Sequence, residues 1–125
     1  MKLRLAKNSL RLRVLRSEVA ALHTGARLQE TLCLGPDPSA RFTYAIEQTV
    51  GTNIPEVRFT GNEILVSIPA EQILHWATSD QVGIYAQVET GAVQPIALVV
   101  EKDFACLDRS DADNADTYQN PNMTC

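Results

Sequence analysis

Apolar residues alternate with polar ones from the first positions of the chain: Leu3 and Leu5, then Leu10, Leu12 and Val14, each stand two residues from the next within their run. That period places one side of an extended strand in a core, so Lys2 to Ala6 and Ser9 to Val14 are predicted strands around a turn at Lys7-Asn8. Ser17 stands where an N-cap would open a short helix over Glu18 to Thr24, and Gly25 would end it, since glycine accepts the left-handed conformation common just past a last turn. Leu28 to Leu34 and Arg41 to Gln48 read as a second hairpin, joined through Gly35-Pro36-Asp37-Pro38, a stretch unable to continue a ladder.

The same pattern then returns. Moved 54 positions, residues 2–48 fall on residues 56–102 without a gap, and Leu3, Leu5, Leu10, Leu12 and Val14 meet Val57, Phe59, Ile64, Val66 and Ile68. Further along, Val19, Leu22 and Leu28 meet Ile73, Trp76 and Val82, while Phe42, Tyr44 and Ile46 meet Ile96, Leu98 and Val100. Identities such as Arg4/Arg58 and Asn8/Asn62 are about as frequent as chance gives, so the repeat rests on the gapless pattern. The second copy predicts strands over Glu56 to Thr60 and Glu63 to Ile68 around Gly61-Asn62. Pro69 then opens a helix over Ala70 to Thr78 at a position that tolerates proline, and strands follow over Val82 to Glu89 and Pro95 to Lys102. A half of this length buries too little surface to stand alone, so the two are expected to share one core. The expectation is a mainly β chain of α+β class: a domain over 1–102, with repeats 2–48 and 56–102 and a linker over 49–55, then an irregular, partly disordered acidic tail over 103–125.

Charge sharpens this division. The net charge of −4 conceals eight Lys or Arg against four Asp or Glu in residues 1–55, and three against eleven in residues 56–125. Beyond Lys102 the pattern dissolves into Asp103, Asp108, Asp111, Asp113 and Asp116 among Asn and Pro, a composition poor in burial. No apolar run approaches membrane length, and the basic opening runs into alternation instead of a leader's apolar stretch, so a cytoplasmic chain with no membrane contact is expected. Cys33, Cys106 and Cys125 are odd in number with no Cys-x-x-Cys pair, and read as reduced thiols.

The run Val57-Arg58-Phe59-Thr60-Gly61-Asn62-Glu63-Ile64-Leu65-Val66-Ser67-Ile68-Pro69, followed by a helix and Asp80-Gln81-Val82, resembles the AbrB/MazE type of DNA-binding domain. Lys7 to Val14 with Gly25-Ala26-Arg27-Leu28 is similar but lacks the turn glycine, the Pro and the Asp. The resemblance covers residues 2–102. It implies a swapped-hairpin barrel in which two ββαββ units exchange hairpins, here within one chain. Met1-Lys2-Leu3-Arg4 with Asn8 to Arg13, and Glu101-Lys102-Asp103-Phe104 with Cys106 and Asn120-Pro121, also look like a family of bacterial proteins with no assigned activity.

With the leucines inward, alternation sends Lys2, Arg4, Arg11 and Arg13 outward together, with Lys7 at the turn and Arg16 near the helix start. Six cations on one hairpin can neutralise phosphates, and in the resembled family this region meets DNA. A DNA-binding regulator of antitoxin or transition-regulator type is therefore the first expectation. Its rival is a solvated edge kept soluble by charge, with Glu18, Glu30 or the tail neutralising the patch. The second copy has lost these cations: Glu56, Gly61, Leu65, Ser67 and Ala70 stand for Lys2, Lys7, Arg11, Arg13 and Arg16, and only Arg58 remains. A symmetric reader would then need two chains paired through their acidic halves; otherwise the chain is a protein-interaction module that has lost DNA binding.

For a protein partner, Leu65 with Ala97 and Val99 is expected to form an outward apolar strip, and Phe104, Leu107, Tyr118 and Met123 are spaced anchors in the tail. The resemblance implies a toxin ribonuclease as the partner such a tail would wrap. No cofactor or enzymatic activity is expected: His23 and His75 do not align between repeats, the tail aspartates lack a calcium loop's glycine and terminal Glu, and no phosphate-cradling glycine motif occurs. A duplicated phosphate-tunnel barrel would require Arg4, Arg11 and Arg13 to face inward.

Overall fold

The computed structural model describes residues 1–106 and 110–120. Eight strands and two principal helices follow in the order β1 (Lys2–Ala6), β2 (Ser9–Val14), α1 (Arg16–His23), β3 (Leu28–Cys33), β4 (Arg41–Thr49), β5 (Glu56–Thr60), β6 (Glu63–Pro69), α2 (Ala70–Thr78), β7 (Gly83–Val88) and β8 (Ile96–Lys102), with a single turn of helix, α3 (Asp111–Asn114), near the end. The class is mainly β of α+β type, built on two four-stranded mixed sheets, ordered β1-β2-β8-β7 and β3-β4-β6-β5. Each sheet takes one antiparallel hairpin from either half of the chain, and the hairpins meet through parallel ladders, β2 on β8 and β4 on β6. The strands do not close into one barrel; β1, β7, β3 and β5 are sheet edges.

Alternation decides which side of each strand is buried. Along β2, Leu10, Leu12 and Val14 are buried while Ser9, Arg11 and Arg13 alternate with them, so the phosphate-tunnel arrangement is ruled out by side-chain direction. Leu12, Val100, Ile46 and Val66 from the two sheets join Val19, Leu22, Ile73 and Trp76 from the helices in one cluster. Burying a side chain of Leu12's size stabilises the fold by about 1.5–3 kcal/mol. Trp76 is wholly enclosed and its indole N–H donates to the Val82 carbonyl at 3.1 Å, which removes the cost of burying that donor. On the edge strand β1 the pattern weakens. Leu3 is half-buried, but Leu5 is 56% exposed, because β1 is an edge strand that pairs with β2 on one side and, among the described residues, with no strand on the other.

α2 begins just after Pro69, as predicted. α1 begins two residues earlier than its sequence suggested, with Leu15 and not Ser17 at the cap position. The reason lies 99 residues away: Asp116 accepts the Ser17 N–H at 2.9 Å and the Ser17 hydroxyl, and its own carbonyl accepts the Arg16 N–H at 2.9 Å. The segment after Lys102 thus runs back over the domain. Asp103 N–H donates to the Val14 carbonyl, Tyr118 N–H to the Asp103 carbonyl, and Asp103, Cys106 and Thr117 are buried. Cys33 is a free, exposed thiol, but Cys106 is disulfide-bonded, contrary to the reduced state read from an odd count without a Cys-x-x-Cys pair, and Cys125 lies outside the described residues. Among the described residues no helix is long and apolar enough to cross a membrane.

Candidate functional site

The outward face of the first sheet is written by three aligned ladders. Their registers place Lys2, Arg13, Glu101 and Gly83 in one row across β1, β2, β8 and β7, and Arg4, Arg11, Val99 and Tyr85 in the next. The cations therefore occupy the β1–β2 half, while Val99 and Tyr85 occupy the other. Lys2, Leu3, Arg4, Arg11 and Arg13 line a shallow cavity of about 190 Å3 on that half. Lys7 stands at the hairpin tip with φ of 53°, a left-handed backbone that its counterpart Gly61 (φ 59°) adopts at less cost.

Carboxylates of the same chain reach part of this patch. Glu101 Oε1 lies 3.1 Å from Arg13 Nε and 3.6 Å from Arg11 Nε, and Asp103 Oδ2 lies 3.3 Å from Lys2 Nζ. Arg16 instead lies over the Tyr118 ring, 5.5 Å from its centroid. Glu18, expected as a neutraliser, is taken by the Met1 ammonium and the Leu15 N–H. Among the described residues no carboxylate pairs with Arg4 or Lys7. Six cations thus face three carboxylates, Glu101 beside Arg11 and Arg13, Asp103 beside Lys2, and Asp116, which interacts electrostatically with Arg16, and an excess of three positive charges remains. The pairs holding Arg11 and Arg13 are partly exposed and of the kind that contribute about 0–1 kcal/mol, so an incoming anion can exchange with Glu101.

Of the predicted partner residues, Phe104 and Tyr118 are brought together, and Leu65 is not brought to Ala97 and Val99. Leu65 is half-buried on the outer face of the second sheet between Ala45 and Arg58, whereas Ala97 and Val99 are on the first sheet, so the expected strip is split between two surfaces. Phe104 and Tyr118 pack on each other, ring centroids 5.9 Å apart, in a parallel bridge. Leu107 and Met123 lie outside the described residues. Burial raises the Tyr118 phenol above its ordinary value, Arg16 opposing and Asp116 adding to the shift. Lys102 completes this corner: its ammonium donates to the Ser79 carbonyl at 2.8 Å and lies 5.1 Å from the Tyr118 centroid. Burial lowers its pKa and Asp80 partly restores it. Among the described residues no group of three or more His, Cys, Asp or Glu gathers as a metal site would require.

Sequence reasoning expected the acidic tail, which holds Asp103 and Asp116, to neutralise this patch, but missed Glu101 as a member of the face. The available signal was the outward alternation of Glu101 along β8, but its place next to the basic hairpin depends on the parallel ladder, which no local pattern reveals.

A family model matches residues 1–122. The chain belongs to DUF7009, a family of unknown function. No curated protein and no solved structure matches it. The basic face of this DUF7009 chain must therefore be read from its own chemistry.

Proposed function

We propose that this chain is a non-enzymatic binding protein whose first hairpin docks a polyanion, nucleic acid before others, in the manner of an antitoxin or transition regulator. The observation that carries this is the facing of like charges: Lys2 is directly opposite Arg13, and Arg4 directly opposite Arg11. Such cross-strand pairs destabilise a hairpin, and a face needing only solubility would gain by mixing signs. Among the described residues no carboxylate lies beside Arg4 or Lys7, and phosphates would relieve the repulsion.

The duplicated, AbrB/MazE-like swapped-hairpin reading belongs to the same proposal. What supports it is register: shifted by 54, the pairs Lys2 with Arg13 and Ser9 with Ala97 become Glu56 with Ser67 and Glu63 with Thr43, and both occur. The β7–β8 ladder departs from this rule by two residues relative to β3–β4. A toxin held by the tail is not part of the proposal, since Phe104 and Tyr118 are engaged with each other.

A protein-interaction module remains the second reading, favoured by Phe59, 68% exposed beside a cleft of about 910 Å3 between β5 and β7. The two part on one experiment. Arg4→Glu with Lys7→Glu, at positions with no carboxylate to lose among the described residues, is expected to abolish retention on mixed duplex DNA fragments without lowering thermal stability. Undiminished retention would remove the hairpin from the function.

A further inference from the structure

We infer that β5 is the contact through which two copies of this chain associate, as a two-fold dimer of antiparallel β5 strands. Among the described residues β5 pairs on one side only, with β6, and its other edge opens into the cleft toward β7. Exposed edge strands are guarded by charge or covered by a partner. β1, the counterpart of β5 after the 54-residue shift, is guarded: Lys2 and Arg4 share its outward side, so a β1–β1 contact would set cation against cation. β5 carries Glu56 and Arg58 at those same positions, and within the chain Arg58 Nη2 donates to Glu56 Oε2 at 3.0 Å. Pairing two β5 strands about Val57 sets each Glu56 opposite the other copy's Arg58, so the charges are self-complementary. The same register brings Phe59, 68% exposed, against Pro55 and the neighbouring Ile54, 61% exposed. A two-fold contact closes on itself, whereas β1 laid on β5 would propagate without end.

The dimer uses none of the basic-hairpin cations and is measured without nucleic acid, so its failure and that of the polyanion reading are separable. Sedimentation of the full chain is expected to show a monomer–dimer equilibrium with Kd on the order of micromolar, as a short edge contact gives. Phe59→Lys should raise Kd at least about tenfold, one hot-spot side chain's share. Glu56→Arg alone and Arg58→Glu alone should each sediment as monomers, and their equimolar mixture should recover the dimer, because only the mixed pair restores both contacts. A chain monomeric at all concentrations, a mixture that stays monomeric, or open-ended association lost on Arg4→Glu would each overturn the inference.

Discussion

Lys7 concentrates the conflict between stability and binding in one residue. Its φ of 53° suits glycine, which its counterpart position in the second half carries as Gly61. Lys7→Gly should therefore stabilise the chain by about 0.5–1 kcal/mol, read from the urea midpoint, while weakening DNA retention. Asp116 makes a second prediction. Hydrogen bonds from the Ser17 hydroxyl and then its backbone N–H hold its carboxyl below the ordinary 3.8, with burial opposing and Arg16 assisting. Because the folded pKa is the lower one, the unfolded chain binds more protons in that window. The stabilisation is complete above 3.8 and is lost as pH falls through the folded value. In an acid series the Tm advantage of the wild type over Asp116→Asn should therefore shrink below about pH 3.8, the ordinary carboxylate range; a constant difference would contradict it. The inward Leu10, Leu12 and Val14 were legible because alternation is local. The Asp116 cap was not, since 99 residues separate it from Ser17.

At the scale of the element, the β1–β2 hairpin should respond oppositely on its two faces. Leu12→Ala opens a cavity in the shared core and should cost about 2–5 kcal/mol in urea unfolding. Arg4→Glu replaces a like-charge pair with Arg11 by an attractive one and should raise stability by about 0.2–1 kcal/mol while reducing DNA retention. Equal retention by this variant would mean the repulsion has no ligand to relieve it. The eight strands, the Lys7-Asn8 and Gly61-Asn62 turns and the Pro69 start of α2 could be read from the sequence, because each is set by neighbours within a few residues. Where hairpins join could not be read from periodicity. The β2–β8 and β4–β6 ladders bring Glu101 to Arg13 and part Leu65 from Val99, and alternation is silent on which strand lies beside which.

For the whole molecule, the basic first hairpin belongs to a chain of net charge −4, so long-range steering disfavours a polyanion and contact must be local. The returning tail supplies Asp103 and Asp116 to that corner, which makes the ligand's net opportunity smaller than six cations suggest. Those cations were legible as a group from the outward side of β1 and β2, and so was the tail as a neutraliser; the share of Glu101 was not, because the β2–β8 ladder brings it from the other half of the chain. The measurement that decides most is binding of the intact chain to duplex DNA fragments across a salt series. With an excess of three positive charges, the log–log slope should be roughly −2 to −3 at about 0.9 per phosphate. A chain that stays free at about 50 mM salt, where counterion release is strongly favoured, would contradict the polyanion reading outright.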